Sequence, residues 1–134
     1  MIVGALSRYK DWLKEAEDDL GSAKCLLEGG HYSKSCFHSH QAAEKAVKAL
    51  LIRCCGRYEE MHSVVGLFKL ATESLEVPQA VFEAANRLDR HYIPSRYPNA
   101  WPSGAPHERY SKRDAEEAME DARTILAFVK EKIG

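Results

Sequence analysis

Leu6, Tyr9, Leu13, Ala16, Leu20, Ala23 and Leu27 stand alternately three and four residues apart, which lines one face of a first helix. Gly29 and Gly30 follow its last apolar residue and can close it in the left-handed conformation. A second helix is predicted from about Tyr32 to Cys55, with Cys36, His40, Ala43, Val47, Leu50 and Cys54 on one stripe. Beside it, Ser35, Ser39, Ala42, Ala46 and Ala49 form a stripe of small side chains, so another helix can approach closely, from this chain or from a second copy. A polar stripe holds Gln41, Glu44, Lys45 and Lys48, in which Glu44 and Lys48 have the favourable order for an i, i+4 pair. Gly56 ends this helix.

Shorter apolar patterns at Val64, Val65, Leu67, Phe68 and Leu70, and at Val81, Ala85, Leu88 and Tyr92, predict a third and a fourth helix, the fourth opened by Pro78 in its first turn. Pro94, Pro98, Pro102 and Pro106 then recur every four residues, which forbids a continuous helix and leaves an extended or turning path. Arg96, Tyr97, Trp101 and His107 lie between them, and this aromatic and cationic content predicts an ordered binding loop rather than a disordered one. Ser111 with Asp114 resembles a capping box ahead of a long terminal helix whose face is Ala115, Ala118, Ala122, Ile125, Val129 and Ile133. No segment alternates as a half-buried strand does. The prediction is an all-α fold: an antiparallel, up-down bundle of about five helices with a long proline-rich loop before the last, forming one domain over residues 1–134.

Composition narrows the partners. A net charge of −1 argues against a nucleic-acid binder that uses its whole surface. The charge is uneven, however: Arg87 to Arg113 carries six cations against two anions, and Asp114 to Gly134 carries six anions against three cations, so an anion is drawn to the loop side. Cys25, Cys36, Cys54 and Cys55 show no C-x-x-C spacing and are expected to be reduced thiols of a cytoplasmic protein. Neither a leader peptide nor an apolar run long enough for a membrane span is expected.

The run Gln41-Ala-Ala-Glu-Lys-Ala-Val-Lys-Ala-Leu-Leu51, His62 opening the third helix, and Tyr92-Ile-Pro-Ser-Arg-Tyr-Pro98 together resemble the HEPN family, the higher eukaryotes and prokaryotes nucleotide-binding domain, over nearly the whole chain. The resemblance implies a helical bundle that commonly forms a homodimer and is frequently paired in prokaryotes with a small nucleotidyltransferase, in the manner of a toxin–antitoxin pair. It also implies, for many members, an Arg-x4-6-His motif that cleaves RNA without metal. Arg57 and His62 match that spacing, but about one such match is expected by chance in this composition, and the pair lies between the second and third helices rather than by the last long helix.

Such cleavage needs an imidazole that takes the proton of a ribose 2′-hydroxyl and an arginine on the phosphate. His62 or His91 with Arg57, Arg87 or Arg96 are the candidates that folding could assemble. For His62 the structural alternative is that it begins the third helix and satisfies a backbone group. Cys36 and His40 have metal-ligand spacing on a helix, but both lie on the apolar stripe, so a buried thiol and a satisfied histidine are expected, with no metal or other cofactor. Arg96 offers a planar fork for phosphate, and Tyr97 and Trp101 offer faces for a base, unless the rings only fix the loop to the bundle. The leading expectation is a cleft between Arg87, Arg96 and Tyr97 and the polar stripe of Gln41, Lys45 and Lys48 that binds a nucleotide or short RNA. A metal-independent ribonuclease and a non-catalytic protein-interaction module are the alternatives.

Overall fold

The computed structural model describes residues 7–134, all of whose regular structure is helical. Helix α1, Tyr9–Glu28, buries Ala16, Asp19 and Ala23, with Leu13, Leu20 and Leu27 packed at the edge of the core; Leu6, expected on the same face, lies outside the described residues. Gly30, at φ +82°, makes the left-handed step, and the N–H of His31 returns to the Leu26 carbonyl at 2.8 Å. The chain turns back into α2, Tyr32–Leu50.

Both apolar stripes of α2 are buried within this one chain, from Cys36 to Leu50 and from Ser35 to Ala49. The stripe of small residues meets α1: the Ser35 hydroxyl donates to the Ala23 carbonyl at 2.7 Å, a contact that only short side chains permit between helix axes. α2 is thus the central helix, packed against α1 on one side and the terminal helix on another. Its last turn, Leu51–Cys55, widens into a π-helical turn that Gly56 closes at φ +63°, and Cys54 there is only half-buried.

Helix α3, Val64–Ala71, begins after Ser63, whose hydroxyl accepts from the Gly66 N–H. His62 therefore stands two places before the helix, and the capping expected of it is done by Ser63 and by Asp89. Helix α4, Gln79–Asp89, starts one residue after Pro78, which holds the N-cap position rather than the first turn. The proline segment is not wholly extended: Pro98–Ala100 forms a single 3-10 turn, and Pro106–Arg109 a one-turn helix, α5, in which Pro106 occupies the first position, where a missing N–H is harmless. Helix α6, Lys112–Ile133, opens with the expected capping box of Ser111 and Asp114. Phe68 centres the apolar core, meeting Phe82 and Phe128 edge-on at 6.0 Å each. The bundle has the predicted all-α architecture, with the short α5 making six α-helices among the described residues. No helix among the described residues is long and apolar enough to cross a membrane.

Candidate functional site

Tyr92, in the turn that follows α4, gathers side chains from three parts of the chain. His62 stacks on its ring with centroids 5.2 Å apart and planes inclined by 17°. His40 and Phe37 of α2 approach it at 5.1 Å and 6.2 Å. The guanidinium carbon of Arg96 lies 4.6 Å from the same ring centre, 4.4 Å from Phe37 and 4.7 Å from Tyr97, so the negative faces of three rings hold one cation. Successive turns place these groups together: the N–H groups of Arg96 and Tyr97 both return to the Ile93 carbonyl, and Arg96 Nε donates to the Tyr92 carbonyl at 3.0 Å. Trp101 fastens the loop from behind by donating Nε1–H to the Pro94 carbonyl at 2.8 Å. No carboxylate among the described residues pairs with Arg96, and Tyr97 is 45% exposed.

Beneath His62 lies a buried ion pair. Glu44 and Lys48 join at 3.0 Å with side chains only 4% and 5% exposed, so the i, i+4 pair predicted on the polar stripe forms and lies inside the protein. Lys48 sits 5.5 Å from the Trp12 ring and 5.9 Å from Tyr58, beside a hollow of about 460 Å³ whose wall includes both rings, Arg8 and Lys45. His62 Nδ1 is 3.3 Å from both oxygens of Glu44. A carboxylate in that position accepts a hydrogen bond from Nδ1–H, and in that tautomer of the neutral ring Nε2 carries the lone pair. With its side chain 58% exposed, His62 presents an oriented imidazole to solvent.

Asp89 joins α2, α3 and α4. It accepts from the N–H groups of Val64 and Val65 at 2.8 Å and 3.1 Å, from the Ser63 hydroxyl at 2.9 Å and from His40 Nε2 at 3.1 Å. Burial pushes its pKa up, but these hydrogen bonds outweigh burial and hold the carboxyl below its ordinary value. The other ring nitrogen of His40 meets the side chain of Gln41 at 3.2 Å, so the buried histidine is satisfied on both sides. Burial, reinforced by Asp114, pushes the neighbouring Cys36 thiol up to about 12, which keeps it neutral. Among the described residues no group of His, Cys, Asp and Glu is placed to hold a metal ion.

The remaining candidates are dispersed. Arg57 turns away to Glu59 at 3.0 Å and Glu73 at 3.6 Å. Arg87 makes a two-pronged contact with Asp121 of α6, at 3.0 Å and 2.9 Å. His91 is tucked under the loop with Nδ1 3.1 Å from the Tyr110 hydroxyl; burial lowers its pKa, against the attraction of Asp114. Lys45 binds Asp19 at 2.6 Å. The fold thus brings together His62, Arg96, Tyr97 and Gln41, and takes Arg57, Arg87 and His91 elsewhere. Sequence reasoning missed Tyr92 as the hub, Phe37 as the floor under Arg96, and Glu44 as the partner of His62. The polar stripe contained a signal for Glu44 in the i, i+4 cation Lys48, the partner that makes its burial tolerable.

The HEPN domain profile matches residues 9–132. The chain belongs to the HEPN family. Among curated proteins, this HEPN chain is similar to one of Methanocaldococcus jannaschii named "Putative toxin MJ1304", 36% identical over 138 residues that cover 93% of this chain and 90% of the relative. Among solved structures it resembles TT1696 of Thermus thermophilus, with a TM-score of 0.90, 42% identity, and coverage of 93% of this chain and 98% of that one. It also resembles ST0689, an archaeal HEPN homologue, with a TM-score of 0.80 at 42% identity, covering 95% of this chain and 98% of that one. A HEPN domain protein of Thermotoga maritima follows, with a TM-score of 0.73 at 36% identity, covering 90% and 95% of the two chains.

Proposed function

We propose that this HEPN protein is the nucleotide- or RNA-binding member of a toxin–antitoxin-like pair, and that its ligand lies across Tyr97 and Arg96. The observation that carries this reading is the state of Arg96. Three rings and one hydrogen bond fix the guanidinium in place while its terminal N–H groups have no carboxylate partner among the described residues. A planar fork held this way suits a phosphate, and the exposed Tyr97 ring beside it suits a base. His62 shares the Tyr92 ring with Arg96, and the Gln41 side chain meets His40 on another side of that ring. Lys45, Lys48 and Arg87 are already paired with carboxylates, so a ligand would have to compete with those partners to engage them. The toxin-type name of the M. jannaschii relative supports the toxin–antitoxin setting, and the same reading includes a second copy of this chain and a small nucleotidyltransferase as partners.

A second reading, metal-independent ribonuclease activity, is favoured by one observation: Glu44 orients His62 so that Nε2 faces outward. In that reading Nε2 takes the proton of a 2′-hydroxyl, the oxygen attacks the adjacent phosphorus, the 5′-oxygen leaves with a proton from solvent, and Arg96 holds the charged phosphate. One experiment tests both. Labelled single-stranded RNA is incubated at low salt in chelator with the parent protein and with Arg96→Ala, Tyr97→Ala and His62→Ala, and retention and cleavage are read on the same gel. Retention that falls in the Arg96 and Tyr97 variants is expected, and retention unchanged in both would sink the binding reading. Cleavage abolished by His62→Ala alone establishes the second reading; its absence in the parent protein removes it.

A further inference from the structure

The hollow beside Trp12 lies apart from the platform at Arg96 and Tyr97, yet one face of α2 leads from one to the other. Phe37, Gln41, Glu44 and Lys48 recur three or four residues apart and share that face. Arg96 lies against Phe37, Tyr92 and His62 meet the stretch from His40 to Glu44, and Tyr58 and Trp12 stand by Lys48. The rings of Tyr97, Tyr92, His62, Tyr58 and Trp12 therefore follow one another along the helix. From Phe37 to Lys48, at a rise of about 1.5 Å per residue, α2 advances about 16 Å. A stacked nucleic-acid strand rises about 3.4 Å per nucleotide, so about five nucleotides cover that distance. A mononucleotide does not.

Exposure points the same way. The large apolar and aromatic side chains exposed among the described residues are Tyr58, Met61, Ile93 and Tyr97, and all four belong to the two connecting segments that meet where His62 stacks on Tyr92. Rings left open to water at both ends of one track are what base stacking uses. The far end is the hollow of about 460 Å³, lined by Arg8, Asp11, Trp12, Glu15, Lys45 and Tyr58. Trp12 and Tyr58 are inclined by 40° with centroids 5.6 Å apart, too close for a base between them, so a base lies against the pair. The charges of the lining balance: Arg8 meets Asp11 at 2.7 Å, and Lys45 stands 3.8 Å from Glu15. Such a hollow suits an uncharged base, whose edge N–H groups find acceptors in the exposed carboxylates of Asp11 and Glu15, and it leaves the phosphate to Arg96.

We propose that this hollow is a second base subsite of the ligand bound at Arg96 and Tyr97, and that the ligand is a single-stranded RNA laid along α2 rather than a mononucleotide. The inference rests on the reading of Arg96 given above and deepens it.

The test follows the ¹⁵N-labelled full chain at low salt, reading the Trp12 indole N–H signal, identified by Trp12→Phe, beside the backbone amides of Arg96 and Tyr97. The ligands are adenosine monophosphate and an oligoadenylate of about eight nucleotides, long enough to span both ends. The monophosphate is expected to move the Arg96 and Tyr97 amides alone, and the oligoadenylate to move these and the Trp12 indole with one shared midpoint. Tyr58→Ala and Trp12→Ala should each weaken oligoadenylate binding by about tenfold, the value of one base stacked on one ring, and leave that of the monophosphate unchanged. Tyr58 lies in a connecting segment and is 38% exposed, so its variant carries the test where Trp12→Ala fails to fold. An oligoadenylate that moves Arg96 and Tyr97 without Trp12, at an affinity that neither variant changes, overturns this inference and leaves the reading of Arg96 standing. No response of either region to either ligand overturns both. A Trp12 signal that keeps the parent's midpoint in Arg96→Ala shows a hollow acting on its own and overturns the shared strand. A Trp12 signal that responds to protein concentration or to removal of residues 1–6, and not to RNA, assigns the hollow to a second copy or to the chain's own amino terminus, and likewise overturns the proposal.

Discussion

Around Phe68 the bundle is held by rings and aliphatic side chains, with Phe82, Phe128, Leu67, Leu88, Ile125 and Val129 packed as a dry core. Around Tyr92 it is held by charges and hydrogen bonds: the Glu44–Lys48 pair, His40 between Gln41 and Asp89, and Asp89 across three helices. Both regions are buried, yet they constrain the fold differently. Dispersion and apolar burial are non-directional, so the first region accepts any side chains that fill the same volume. A buried polar network accepts only partners that meet each donor and acceptor, so the second region fixes where Tyr92, His62 and Arg96 stand. The candidate site is built on the region with the stricter geometry.

Substitutions separate the two. Phe68→Ala should have the largest effect, a loss of about 3–5 kcal/mol in urea unfolding, through lost burial and the cavity it leaves. Below its unfolding temperature, that variant should still retain RNA as the parent does. Lys48→Ala should cost roughly as much, about 3–5 kcal/mol, because Glu44 then remains as a buried charge without its partner. The double replacement Glu44→Leu with Lys48→Met should recover most of that loss while freeing the His62 ring, so stability and site would part company. A double variant no more stable than Lys48→Ala would show that the pair does not behave as a single buried unit.

Smaller effects sharpen the contrast. Asp89→Ala removes the acceptor of Val64, Val65 and His40 and should cost about 2 kcal/mol by thermal unfolding. The folded carboxyl of Asp89 is held below its ordinary value, so the unfolded chain binds the proton first as pH falls. Its stabilisation is therefore complete above the ordinary aspartate value of about 3.9 and disappears as pH drops through the lower folded value. Asp89→Asn should lose that part of the acid slope, and melting curves below pH 5 would show it. Tyr97→Ala should change stability least, by under about 0.5 kcal/mol, since the residue is already 45% exposed and lies outside the core. It should nevertheless weaken RNA retention by roughly tenfold, the value of one base stacked on one ring.

The elements were readable in the chain where periodicity is strong. The three-four stripes of α1, α2 and α6 carry their own evidence, because each buries one face along its whole length. The site was less readable, since its parts meet through turns that no period describes. His62 reaches Glu44 across 18 residues of chain, including a segment without regular structure, and Tyr92 reads as the last apolar residue of a helix until the turn after α4 lifts it over α2. The Arg57 and His62 spacing, no more than composition yields by chance, carried no information: near in sequence, the two face different partners, because the stretch between them is not helical. Arg96 and Tyr97 were legible because prolines on either side kept them out of a helix and available to the surface.

The wide turn at Leu51–Cys55 sets the phase of everything that follows it. A π turn winds more residues into each revolution than an α-helix does, so it absorbs the extra residue and the chain leaves about 90° short of where five regularly wound residues would point it. From that exit Tyr58 swings to within 5.6 Å of the Trp12 ring, and His62 arrives over Glu44. Deleting one residue, so that the turn reverts to regular winding, would therefore leave the exit direction nearly unchanged, whereas winding all five residues as α-helix would deliver the connecting segment to another side of the bundle. The winding of this one turn, outside the apolar core, thus decides on which side of the bundle the imidazole of His62 arrives.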